Sequence, residues 1–324
     1  MKNLLLFFLF IGVISTSCNN DIQLNADYKE IMVVYGLLDK MDSVHYIRIQ
    51  RAFQNTNASA LSISQKVDSL YFDTLNVKVT DLTTSQVYLL KKEVSTIKDS
   101  GYFQNKVNVL YRFSAALNAS HLYRLDIIDA NTGSGVSGIT PIVGTPTNVT
   151  SPPGDTFDLL TGKKIRAYCL SGINARAYDV FYRFKFNEFD SISGALISQR
   201  FLDYYVLRSG LTTTLQGGSA VDQTIESDDI FNFIGNSLHR VPGVYRIATN
   251  FDAYYAGAAD DLNVYQDISK PSIGIVQKKP EFTNVSNGYG LYSSRNIFCK
   301  KHPVSPSTQQ ALLKHLATKD LGWK

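Results

Sequence analysis

The residues able to do chemistry are sparse and scattered. The thiols are Cys18, Cys169 and Cys299, and no two of them form the close pair of a zinc knuckle or a redox motif. The histidines are His45, His121, His239, His302 and His315, and none lies in an H-E-x-x-H helix or another paired ligand spacing. No G-x-S-x-G elbow is present. "TGKK" at 161–164 lacks the upstream glycine of a phosphate loop, and "GYG" at 288–290 lacks the third glycine and the βαβ setting of a dinucleotide site. Asp228–Asp229 and Asp260–Asp261 are adjacent rather than spaced around a glycine turn, so helix starts and solvated loops suit them better than calcium. A protein without catalytic residues, metal or cofactor is the expectation, and a hydrolase is the least favoured class.

Cys18 stands apart by position. Met1, Lys2 and Asn3 precede an apolar run from Leu4 to Ile14, which is too short for the ~20 residues of a membrane-spanning helix. Ser15, Thr16 and Ser17 follow, as small residues do before a cleavage site. This stretch resembles a bacterial lipoprotein signal, cut before a cysteine whose thiol then carries lipid. Ser15 occupies a position that is usually aliphatic. The reading implies a leader over 1–17, lipid on Cys18 and a polar tether over 18–29. Two or more acyl chains, at about 0.8 kcal/mol per buried methylene, hold a protein stably at a membrane.

Export leaves Cys169 and Cys299 as a candidate disulfide, with a buried strand thiol as the other reading of Cys169. The aromatic set is heavy, with 19 Tyr and 18 Phe. Tyrosine offers a stacking face and a hydroxyl, so Tyr204, Tyr205, Tyr254 and Tyr255 are candidates for a glycan- or peptide-binding surface. Adjacent tyrosines in a strand point to opposite faces, so core packing is the competing reading for these four. Tyr182, Phe184 and Phe186, spaced by two, read as core.

The elements that must position these residues are mostly strands. Hydrophobic residues at 44 % and charged residues at 19 % describe a globular chain. The formal charge of +4 comes with no basic stripe, which argues against nucleic acid as a partner. "EIMVVYGLL", "SVHYIRIQRAF", "LNVKVTDL", "SQVYLLKK", "KVNVLYRFSA" and "LYRLDIIDA" are strand patterns separated by turns. In the second of them His45, Ile47, Ile49 and Phe53 share a face. Together these strands predict an antiparallel, immunoglobulin-like β-sandwich over 30–145. "PIVGTPTNVTSPPGDT" is proline-rich and predicts a linker over 146–160. A second β-rich domain over 161–324 is expected, led by a hairpin of "AYDVFYRFKFNEF" and "ALISQRFLDYYVLRSG". Ser227 reads as an N-cap, "DAYYAGAADDLNVYQDI" as a helix, and "STQQALLKHLATKDL" as an amphipathic helix with Leu312, Leu313 and Leu316 on one side.

"YGLL…HYIRI" near the start, "LYRLDIIDANTGSGVSGIT", "FTNVSNGYGLYSSR" and the closing "LLKHLATKDLGW" resemble patches of a family of uncharacterised Bacteroidetes outer-membrane lipoproteins that carry a domain of unknown function. Trp323 stands where that family commonly has Phe. The resemblance implies an outer-membrane location, on either face, and association with a TonB-dependent receptor. It also implies O-glycans at Asp-Ser/Thr-apolar tripeptides, which here place Ser43, Ser69, Thr74 and Ser191 as candidate acceptors. The functional expectation is a lipid-anchored accessory or binding protein working with an envelope partner. The alternative is a glycan- or peptide-binding module acting alone.

Overall fold

Period-two alternation of apolar and polar residues leaves each strand with one face to bury, and two such faces must meet. The computed structural model describes residues 31–52, 67–95, 107–150, 152, 154–270 and 281–324. The leader, Cys18, the tether and Phe53 lie outside the described residues. The fold is mainly β, with an antiparallel sandwich first and a second β-rich unit after it, as the alternation predicts.

One layer of the sandwich contains β1 (Ile31–Asp39), β2 (Val44–Ala52), β5 (Lys91–Ser95) and β6 (Asn108–Ser114). The other contains β3 (Leu75–Asp81), β4 (Val87–Leu89), β7 (Leu122–Asp129) and β8 (Gly135–Pro141), joined at one edge by β14 (Val285–Ser286). A one-turn helix, α1 (Val67–Leu70), lies before β3. Val34, Ile47, Ile49, Val79, Leu125 and Ile127 meet between the layers, almost wholly buried. His45 also points inward, where its Nε2 contacts the Ala115 carbonyl at 3.0 Å.

The second unit is built on a long hairpin of β10 (Ala177–Asp190) and β11 (Leu196–Leu211), with β13 (Val244–Ala258) and β15 (Tyr289–Lys300) alongside. Its inner face is packed by the strand pair β9 (Lys164–Leu170) and β12 (Ala220–Glu226), and by helices α2 (Ser227–Ser237) and α4 (Pro306–Lys314). A third helix, α3 (Asp260–Ser269), packs its Leu262 with Ala258 and Leu291 in a separate small cluster. Tyr182, Phe184 and Phe186 are core residues, each 1 % exposed or less.

Several sequence expectations need correction. β15 lies between β13 and β1, pairing antiparallel with the first and parallel with the second. One eight-stranded sheet, in the order β11-β10-β13-β15-β1-β2-β6-β5, therefore runs through both units. Residues 285–300, well beyond the expected linker at 146–160, return to pair with strands of the first unit. Nor is 146–160 a solvated linker: Phe157 and Leu159 are buried in the second core, and the Phe157 N–H donates to the Pro303 carbonyl. "DAYYAGA" extends β13, and its helix begins only at Asp260. Ser227 is the first helical residue and not the N-cap, a position held by Glu226. Its hydroxyl instead accepts from the Lys163 N–H and donates to the Leu160 carbonyl. α4 stops at Lys314, so Leu312 is buried while Leu316 is 82 % exposed.

Two local features hold β15 in place. Gly290 has φ +116°, and a Cβ there would collide with the Val34 carbonyl, so only glycine lets β15 come so close to β1. Tyr292 is fully buried between the layers, where Gly36 and Gly138 leave room for its ring. The chain's end is fastened separately. Arg246, 1 % exposed, donates to Glu188 at 2.9 Å, to the Leu321 carbonyl at 2.6 Å and to the His239 carbonyl at 2.9 Å. Trp323 packs on Phe184 and Phe186, with ring centres 5.5 and 5.6 Å apart.

Candidate binding surface

β10 alternates from Tyr178 to Phe189, so its even residues there enter the core and its odd residues face out. Opposite Phe181, the register sets Tyr205 of β11 on one side and Tyr254 of β13 on the other, and Tyr254 pairs in turn with Cys299 of β15. The two tyrosine pairs resolve as alternation requires. Tyr205 and Tyr254 share the outer face. Tyr255 is fully buried, and Tyr204 packs edge-on against Phe233 on the inner side, so neither belongs to a ligand surface.

The outer residues form a row across four strands. Phe181 and Tyr254 stack with centres 4.8 Å apart and planes within 1°. Tyr205 lies 5.2 Å from Phe181 on its other side. The 4.8 Å separation matches the spacing of neighbouring strands, so these rings stand upright and face one another along the sheet. Arg208 sits 3.5 Å over the Tyr205 ring. Arg183 lies over Phe201 at 4.3 Å and Tyr254 at 5.0 Å, and its Nε and Nη2 each donate to Asp203 at 2.7 Å. Lys185 pairs with the buried Asp252 at 2.6 Å. Phe201 is 55 % and Tyr205 37 % exposed.

Cys299 ends the row on β15, opposite Tyr254. Burial pushes the Cys299 thiol up, although the Tyr254 hydroxyl beside it pulls the other way. The thiol therefore stays protonated near neutral pH and is a poor nucleophile. Burial likewise pushes Cys169 up to about 12. The candidate disulfide is not formed: both thiols are free, Cys169 in the inner core, as its buried-thiol reading has it, and Cys299 on the outer face, with the sheet between them.

The remaining candidates are accounted for singly. Asp228 and Asp229 occupy the first turn of α2, and Asp260 and Asp261 the first turn of α3, as helix starts favour. His121 Nδ1 is 2.7 Å from Asp81 in a turn. His315 stacks on Phe231, and His302 is buried with no hydrogen bond to either ring nitrogen. Among the described residues no three metal-ligating side chains gather. Ser43, Thr74 and Ser191 are exposed, and Ser69 is half-buried in α1. Phe181, Arg183, Phe201 and Arg208 were not singled out by sequence. Phe181 carried a signal, as an aromatic residue between Asp179 and Arg183 on the polar face of its strand.

No family model matches the chain, and no curated protein matches it. Among solved structures it is similar to the C-terminal globular domain of an oligosaccharyltransferase from Pyrococcus abyssi, at 11 % identity and a TM-score of 0.24. That likeness covers 67 % of this chain and 45 % of the other, so the chain spans less than half the length of its neighbour. A likeness this distant carries neither fold nor function across.

Proposed function

We propose that this chain is a non-enzymatic binding protein, held at the outer membrane by lipid on Cys18 and working with an envelope partner such as a TonB-dependent receptor. The observation that carries the binding role is the outer row of Tyr205, Phe181 and Tyr254, with Arg183 and Arg208 laid over its rings. Aromatic rings and arginine are the residues enriched at protein interfaces, where they bury much area at low entropic cost. The attachment rests on the apolar leader ending at Cys18. No helix among the described residues is long and apolar enough to cross a membrane.

A glycan module acting alone draws less from the same geometry. Sugars stack on open ring faces, whereas here the faces of Phe181 and Tyr254 are turned to each other and Arg208 covers Tyr205. A protein or peptide that meets ring edges, hydroxyls and guanidinium groups fits better. The test is a pull-down of the intact chain from membranes in mild detergent. Recovery of a β-barrel partner, lost on Arg183→Ala with Tyr254→Ala, is the expected result. Recovery of the chain alone, or a mature N-terminus without lipid by mass spectrometry, counts against the reading.

A further inference from the structure

The eight-stranded sheet ends at β11, and among the described residues no strand pairs with its free side. Exposed edges are usually blunted by proline, lysine, bulges or a covering segment. β11 has register irregularities at Ile197 and between Tyr205 and Gly210, but the stretch between them has none of these devices. From Ser198 to Tyr205 it pairs with β10 without a register shift, and the stretch holds no proline, glycine or lysine. Its two charges are already engaged within the chain, Arg200 with Glu188 and Asp203 with Arg183. Yet Ile197 and Phe201 are each 55 % exposed and Tyr205 is 37 % exposed. A continuous row of unpaired N–H and C=O groups, flanked by open apolar side chains, is a template for another strand.

The order of side chains says which strand. Two copies of β11 pair antiparallel across a two-fold axis when opposed residues keep the same face, which allows only registers centred on a residue. Centred on Arg200 or Asp203, like charges meet on the axis. Centred on Leu202, Phe201 comes opposite Asp203. Centred on Phe201, the ring meets its own copy, Gln199 meets Asp203, and Ile197 at each end meets Tyr205. Only this last register brings Ile197, Phe201 and Tyr205 together without opposing like charges. We infer that β11 is a homodimer edge, pairing with β11 of a second copy about an axis at Phe201 and joining the two sheets into one. A single strand seam is smaller than the ~800 Å² per partner of a standard stable interface. Pairing is therefore reversible in dilute solution and strengthened wherever copies are confined together.

The test does not depend on the membrane reading. In sedimentation velocity the full chain in detergent passes from monomer to dimer as concentration rises, and Phe201→Lys, which sets like charges on the axis, stays monomeric. Register is read separately by cysteine cross-linking in a Cys18→Ser, Cys299→Ser background. Opposed Cα atoms lie ~4.5–5.5 Å apart, within disulfide reach, so Phe201→Cys links to its own copy on oxidation. Gln199→Cys alone does not, whereas Gln199→Cys with Asp203→Cys does. A chain that stays monomeric up to its solubility limit, or that cross-links equally from positions 199 and 201, overturns the inference.

Discussion

The Tyr292 hydroxyl is buried and has no hydrogen-bond partner, and burial raises its pKa. The ring is needed to fill the space beside Gly36 and Gly138, but the oxygen is an uncompensated cost. Tyr292→Phe is therefore expected to leave stability unchanged or raise it by about 1 kcal/mol, measured by urea unfolding. Asp81 behaves oppositely. Burial works against its charge, but hydrogen bonds from His121, Thr83 and Thr84 outweigh this and hold the carboxyl down at about 2. A carboxyl lowered from 3.8 by folding stabilises the native state above its unfolded value, and that contribution is lost as pH falls towards about 2. Asp81→Asn should cost about 1–2 kcal/mol at neutral pH. It should also flatten the acid limb of stability between pH 4 and 2, which urea titrations across that range would reveal. A variant whose acid limb matches the parent would refute the assignment.

At the scale of elements, the docked C-terminus gives a sharp expectation. Trp323 fills space against Phe184 and Phe186, so Trp323→Ala should cost about 3–5 kcal/mol in thermal or chemical unfolding. Elements with clean alternation were legible beforehand, namely β2, β3, β7 and above all β10. "DAYYAGA" reads as helix because alanine and glycine blur the alternation, and the adjacent Asp260–Asp261 pair suggests a helix slightly downstream. β15 was invisible for a different reason: a central strand buried on both faces shows no alternation, and Ser293, Ser294 and Asn296 disguise it as a loop although all three are buried. The candidate surface was half legible. Alternation forced each tyrosine pair apart, but which member faced out depended on the register with β10, which is a tertiary fact.

For the whole molecule, the shared sheet sets how the chain comes apart. A fragment of residues 31–145 lacks both β14 and β15, leaving β1 without one neighbour and the space around Tyr292 empty. Such a fragment is expected to lack a cooperative unfolding transition, whereas the full chain unfolds in one step with calorimetric and van't Hoff enthalpies in agreement. Two separated calorimetric peaks would restore the division into independent domains.

The parallel seam of β1 and β15 also fixes an order in time. Val33 finds its partner Tyr289 about 250 residues further on, among the most distant pairings this chain can make. β1 must wait for a strand far along the chain, so this sheet closes late in the assembly of the fold. Until β15 arrives, β1 lacks its parallel neighbour and the space beside Gly36 and Gly138 stays unfilled.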